Sequence, residues 1–204
     1  MITFHKFEGK NLDIIKEECL EALNTEEENI YMYSEEVDAG LFKGKKIILN
    51  AITKDEIKKY IKEFIEVLSN RLNIKINCEI RFDENNIKIM LLSENNNVII
   101  GYNGKNLDAI QVLIRQAFKE LNRFNIKIMV DASNYKGKKE KYFQRDIKNI
   151  CREVLKTKVE VKLDPMNSYQ RRLVHSIVSE FNDLESESFG VDPERYTVIK
   201  YKGE

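Results

Sequence analysis

Two clusters in this chain have residue types and spacings suited to holding an anion. In the first, Val98-Ile99-Ile100 runs into Gly101-Tyr102-Asn103-Gly104, and Lys105 opens the segment that follows. Glycines leave backbone uncovered, and N–H groups at a helix start are ready anion donors. A phosphate backbone at this loop would meet Gly101 and Gly104 on either side of Tyr102 and Asn103, with the Lys105 ammonium at the helix entrance. Ile100 and Ile110 are the apolar neighbours expected to receive bases. The second cluster is Arg171-Arg172-Leu173-Val174-His175. Four residues apart on a helix, Arg171 and His175 share a face. They are expected where the apolar stripe meets solvent, Arg171 contacting phosphate and His175 hydrogen-bonding or stacking, with Arg172 further onto the polar side. The structural alternatives are a plain turn for the loop and a surface arginine beside a half-buried histidine for the pair.

Catalytic chemistry lacks material. The only histidines are His5 and His175, and no His-Glu-x-x-His, Cys-x-x-Cys or phosphate loop ending in Lys-Ser/Thr occurs. Asp131 and Asp164 read as turn residues at strand ends, and Glu140 and Asp146 as charge relief in a basic helix. A dinucleotide site would need a third spaced glycine and parallel strand alternation around the loop, and neither is read here. The expectation is a protein that is no enzyme, with no cofactor, no metal ligand and no small-molecule substrate.

The elements that must position these clusters fall into three segments. In the first, up to about residue 50, Ile2–Phe7 reads as a strand, and Leu12, Ile15, Cys19, Leu20 and Leu23 recur at helical spacing. Ile30–Tyr33 and Lys45–Leu49 read as further strands. Leu41 and Phe42, an apolar pair between Gly40 and Gly44, read either as a hairpin tip folded on the core or as an exposed protein-docking knuckle. In the second, Thr53 and Glu56 form a capping box ahead of Ile57, Ile61, Phe64, Ile65, Leu68 and Leu72. Strands are expected at Lys75–Phe82 and Ile87–Leu92, then a short helix, the glycine loop, and a helix facing Leu107, Ile110, Leu113, Ile114, Ala117 and Leu121 inward. Ile126, Ile128 and Val130 close the unit. In the third, Phe143, Ile147, Ile150 and Val154 give the basic stretch a helical apolar face. A strand follows at Val159–Leu163, then a helix capped by Asn167 with Gln170, and strands at Glu185–Ser188 and Tyr196–Tyr201.

The bulk numbers agree with small folded modules. The chain has 204 residues, 42% of them hydrophobic, and its two prolines and eight glycines leave little for a long disordered linker. No apolar run approaches membrane-spanning length, and the three scattered cysteines fit a reducing compartment, so a cytoplasmic location is expected. Net charge is zero, yet residues 1–40 hold 11 acidic and 3 basic side chains, leaving the rest basic. The acidic first segment is a poor nucleic-acid surface, whereas residues 132–152 concentrate Lys136, Lys138, Lys139, Lys141, Arg145, Lys148 and Arg152.

About residues 54–131 resemble the KH domain, in the variant whose extra helix and strand precede the core. That resemblance implies that Gly101, Tyr102, Asn103 and Gly104 form a backbone clamp. The family usually carries a basic residue between the glycines; here the pair is neutral, with Tyr102 placed to stack and Lys105 to compensate. Pro165 to His175, followed by Glu185-Ser186-Glu187-Ser188 and Pro193-Glu194-Arg195-Tyr196, resembles the single-strand-binding domain named for its Arg-x-x-x-His pair. This likeness spans about 142–202, after a basic segment at 132–141 whose Lys138 and Lys139 are further candidate contacts. With the Gly40–Gly44 knuckle, the whole chain is similar to the bacterial Jag family, also called SpoIIIJ-associated or KhpB. Many relatives place a long charged linker after the first module, which here is reduced to a few residues around Asn50–Lys54.

The resemblance implies an α+β chain of three small modules. These are an N-terminal helix-plus-strands domain (1–50), a type II-like KH domain of order α-β-β-α-α-β (54–131) and a C-terminal α/β Arg-x-x-x-His domain (142–202). It further implies a cytoplasmic regulator that binds single-stranded RNA, with single-stranded DNA as a second ligand. Its expected partner is a small single-KH protein or a second copy of the chain. Links to cell elongation, cell-wall synthesis or sporulation, and indirectly to a membrane insertase, come with the family. Aspartates at Gly101 and Gly104 are expected to spare the fold and weaken RNA binding. The competing reading is a protein-interaction adaptor with little intrinsic nucleic-acid affinity.

Overall fold

A computed structural model describes residues 2–38 and 45–203. Leu41 and Phe42 lie outside the described residues, so the docking knuckle has no structural account here.

The first segment contains β1 (His5–Gly9), α1 (Leu12–Ala22), β2 (Ile30–Asp38) and β3 (Lys45–Thr53). Asn11 caps α1 by accepting from the Asp13 amide. The strands form an antiparallel sheet in the order β1-β3-β2. Ile15 and Cys19 of α1 pack on Ile30, Leu49 and Ala51. β2 and β3 run longer than their apolar stretches, because the ladder from Ile30↔Thr53 to Asp38↔Lys45 is held by backbone groups whatever the side chains. β1 begins three residues later than expected. Ile2 and Phe4, ahead of it, pack on the next core instead.

No linker follows. Asn50, Ala51 and Ile52, expected in a shrunken connection, are buried in β3. Thr53 ends that strand and caps α2 (Lys54–Leu72), whose capping box with Glu56 is complete.

The KH-like order then appears as expected: β4 (Asn77–Asp83), β5 (Asn86–Leu92), α3 (Asn96–Ile100), α4 (Lys105–Ala117) and β6 (Lys127–Ala132). β4 and β5 are antiparallel, whereas β5 and β6 are parallel. The glycine loop therefore does lie inside a strand–helix–strand crossover, which strand periodicity alone could not reveal. Ile57, Ile61 and Ile65 of α2 share one core with Ile87, Ile89 and Leu91 of β5 and with Leu107 and Ile114 of α4. Leu113, expected inward, is 52% exposed on α4. Leu121 is buried, but on a separate 3₁₀ segment, Lys119–Phe124.

The N-terminal sheet and the KH-like module close on each other. Phe124 packs against Phe4 with centroids 5.0 Å apart and edge-on against Tyr33 at 4.8 Å. His5 Nε2 donates to Glu56 Oε1 over 2.7 Å, since a carboxylate only accepts. The Tyr31 hydroxyl donates to the Glu84 carbonyl over 2.9 Å. Everything through Tyr135 forms one compact unit, and Lys136 onward forms a second.

The second unit contains most of α5 (Tyr135–Thr157), then β7 (Val161–Lys162), α6 (Ser168–Val178), β8 (Leu184–Phe189) and β9 (Tyr196–Tyr201). The basic stretch is thus helical almost from its start. β7 is shorter than expected: Lys158, at φ 59°, lies in the turn after α5, and the Val159 amide donates to Thr157 Oγ1 over 3.3 Å. The sheet is antiparallel, in the order β7-β9-β8. Ile147, Cys151 and Val154 of α5 and Val174, Ile177 and Val178 of α6 cover one face of it, against Leu184 and Ile199.

Candidate nucleic-acid interface

α3 stops at Gly101, whose φ of 69° with ψ of 180° is a conformation essentially reserved for glycine. Asn103 follows in the left-handed region at φ 52°, which asparagine tolerates, and Gly104 sits at φ 87°. The loop is pinned from inside. Gly101 N donates to Asn97 O over 2.8 Å, and Asn106 Nδ2 reaches back to Val98 O over 2.8 Å.

That pinning changes the reason for the glycines. A Cβ on Gly101 would stand 2.5 Å from Asn106 Cγ, and one on Gly104 2.6 Å from Tyr135 Cε1. Clearance for an outside ligand was the expectation. The structure adds an internal requirement: both positions make room for side chains of the same unit. Aspartates there would reshape the loop, so the double substitution is not the mild change expected of it.

The loop turns three groups outward. Tyr102 is 79% exposed, and Asn103 and Lys105 are exposed beside it. Lys105 Nζ lies 6.0 Å from the Tyr102 ring centroid. Gly104 begins α4 with no capping side chain, leaving the positive end of a 13-residue helix next to Lys105. Ile100 is half-buried at the edge of the core. Ile110 is only 6% exposed and belongs to the core, so it supports the helix and has almost no surface for a base.

In the second unit, Asn167 and Gln170 complete a capping box at the start of α6. Arg171 departs from expectation. It is 8% exposed, and its Nη1 donates to Met166 O over 2.7 Å and to Asp192 Oδ1 over 3.0 Å. A helical wheel placed it at the solvent boundary; the Asp192 carboxylate, arriving from the β8–β9 connection, encloses it. Arg172 is exposed, as expected. His175 is half-buried and engaged on both ring nitrogens. Nδ1 lies 2.7 Å from Ser186 Oγ and Nε2 2.9 Å from Ser188 Oγ. Ser188 Oγ lies a further 3.0 Å from Thr197 Oγ1, which is buried. The imidazole is thereby locked in orientation by a hydroxyl at each ring nitrogen.

Sequence reasoning passed over Asn106, Tyr135 and Asp192, and it quoted Ser186 and Ser188 for the resemblance without pairing them with His175. Ser186 and Ser188 left a trace, being polar residues two apart on the helix-facing side of β8, where burial demands a partner.

Lys138 and Lys139 are exposed on α5, as is Tyr142, with the Arg145 guanidinium 5.1 Å from its ring centroid. Glu140 accepts from the Tyr169 hydroxyl over 3.1 Å, and that bond raises the phenol above its ordinary pKa. Burial raises the thiols of Cys19, Cys78 and Cys151. Among the described residues, no group of three His, Cys, Asp or Glu side chains is placed to hold a metal ion, and no helix is long and apolar enough to cross a membrane.

Residues 56–133 match the family model described as KH domain. Residues 144–201 match the family model of the domain named for its Arg-x-x-x-His pair. The chain is similar to three proteins that each carry the name RNA-binding protein KhpB. The one from Clostridium symbiosum is 25% identical over 196 residues, covering 94% of this chain and 88% of that protein. The one from Bacillus subtilis is 24% identical over 165 residues, covering 80% and 79%. The one from Lactiplantibacillus plantarum is 22% identical over 137 residues, covering 67% of this chain and 42% of its own length.

Proposed function

The chain belongs to the KhpB family, and from that premise we propose that it is a regulatory protein that binds single-stranded RNA. The observation that carries this reading is the tip of the glycine loop, where an exposed tyrosine, a lysine and a helix start without a capping side chain converge. One stretch of RNA backbone lies along Gly101–Gly104, with its phosphate charge facing Lys105 and the α4 N-terminus. A base stacks on Tyr102 beside Ile100. In the other unit, Arg172, Lys138 and Lys139 supply further phosphate contacts. Arg171 acts by holding the β8–β9 connection to α6, and His175 by fixing Ser186 and Ser188. The family setting for such binding is control of cell elongation, cell-wall synthesis or sporulation in the cytoplasm.

A second reading, pairing with a small single-KH protein or with another copy, is favoured by one observation. Val112 is 63% exposed next to Leu113, itself 52% exposed, so that α4 turns two adjacent apolar side chains outward.

The test is fluorescence anisotropy of a labelled mixed-sequence single-stranded RNA and its DNA counterpart at two salt concentrations. Lys105→Glu and Tyr102→Ala replace the glycine variants, since neither residue is buried. Each is expected to weaken RNA binding about tenfold, and Lys105→Glu to lower the salt slope by about one. Wild-type affinity in both variants would remove the loop from the interface. Absence of binding by the parent chain would favour the adaptor reading.

A further inference from the structure

The C-terminal sheet has a face that α5 and α6 do not cover. Side chains alternate along a strand, and residues directly opposite across a ladder share a face. Ser186, Ser188 and Ile199 point toward the helices, as their bonds to His175 and their place in the core show. The intervening residues therefore point the other way. Phe189 stands opposite Tyr196, Glu187 opposite Val198, and Lys162 on β7 flanks Val198 from the far side. Lys200 and Glu185 complete the face.

The two rings lie side by side, centroids 6.0 Å apart and tilted by 32°. Lys162 Nζ sits 4.1 Å from the Tyr196 centroid and Lys200 Nζ 5.3 Å from the Phe189 centroid. Val198 is buried beneath them without joining the helix-side core. Both rings are half-buried at the surface of the sheet.

We propose that this face is a second, base-stacking contact for single-stranded nucleic acid. Tyr196 and Phe189 take consecutive bases, and Lys162 neutralises the phosphate between them. The proposal rests on the RNA-binding reading above and adds a site to it. Adjacent rings on neighbouring strands form the kind of platform on which unstacked bases settle, and stacking of this sort tolerates any base. Each ring already carries an ammonium, so a base can replace a cation–π contact with a stack while the displaced lysine turns to phosphate. An apolar protein partner would instead have to desolvate both ammonium groups. Glu185 and Glu187 lie on the same face, on the edge strand β8, with Glu187 3.6 Å from Lys200. They repel phosphate, so the strand runs from the ring pair along the β7 side, past Lys162.

The chain contains no tryptophan, so Tyr196→Trp installs a single indole at the proposed stack. A short oligouridylate is titrated into the full chain while indole emission is read, with anisotropy of the labelled oligonucleotide read in parallel. The expected result is saturable quenching whose midpoint coincides with that of the anisotropy. Saturated anisotropy with unchanged emission would overturn the proposal. Replacing both rings, Phe189→Leu with Tyr196→Leu, is expected to raise Kd at least about thirtyfold, the loss of two stacked bases at the weak end of their range. Unchanged affinity in a folded double variant would also overturn it; if that variant does not fold, the indole titration decides. Lys105→Glu serves as the control. A loss there without any effect at the rings keeps RNA binding and discards the platform, whereas no binding by the parent chain discards both. Oligothymidylate tests whether the stack distinguishes RNA from DNA, as ring stacking alone should not.

Discussion

At the scale of single residues, the two anion-binding clusters differ in how far their types alone describe them. Tyr102 and Lys105 are where their spacing puts them, exposed at a helix start. Arg171 is not. Its guanidinium ties Met166 to Asp192, which makes it a strut for the β8–β9 connection. Arg171→Ala should therefore act first on stability. Loss of a buried charge-assisted bond to a carbonyl costs about 1–3 kcal/mol. The Asp192 side chain is 68% exposed, so its share of the ion pair is largely screened. Denaturant unfolding should show this loss, and Arg172→Ala should leave stability near the parent's while weakening RNA binding. The reverse pattern would return Arg171 to the ligand surface. The helical wheel gave Arg171 its azimuth correctly; what it lacked was the distant loop that covers that azimuth.

At the scale of elements, the junction of β3 and α2 governs the first unit. Thr53 N and Oγ1 both donate to Glu56 Oε2 over 2.9 Å, while His5 holds the other oxygen from β1. Burial pushes the Glu56 carboxyl upward, but the bonds from His5 and Thr53 outweigh it and hold its pKa below the usual value. A lowered folded-state pKa stabilises above the unfolded value, and that stabilisation disappears as pH falls through the folded one. Comparing the parent with Glu56→Gln by thermal unfolding should show the parent more stable at neutral pH. The gap should close below about pH 4.5, the unperturbed value. A gap that persisted into stronger acid would mean that the carboxylate charge contributes little. The capping box itself was legible from Thr53 and Glu56 alone, because it is a local pattern. The partner His5, 51 residues away, was not.

At the scale of the whole molecule, the N-terminal segment is no separate bead on a string. Ile2, Phe4, Tyr31 and Tyr33 pack on the same core as α2 and α4. A fragment of residues 1–135 should therefore unfold in one cooperative transition, and Phe124→Ala should lower its stability by about 3–5 kcal/mol, as loss of a buried phenylalanine does. Circular dichroism against denaturant reads both. Two resolved transitions, or a Phe124→Ala effect confined to part of the fragment, would show that the sheet and the KH-like module fold independently.

What the sequence determined by itself was local: the capping boxes of α2 and α6, the periodicity of α2, α5 and α6, the Leu107–Ile110–Ile114 stripe of α4, the element order of the KH-like module, and the exposed Tyr102–Lys105 tip. These depend on neighbours within a few residues, so one-dimensional spacing contains them. The tertiary structure alone decided the parallel pairing of β5 with β6, the absence of any linker before α2, the enclosure of Arg171 and the inward reason for Gly101 and Gly104. Each of these turns on a group brought in from elsewhere in the fold: β6, the N-terminal sheet, Asp192, Asn106 and Tyr135. Residue spacing records which way a side chain points; what meets it there is settled only when the chain has packed.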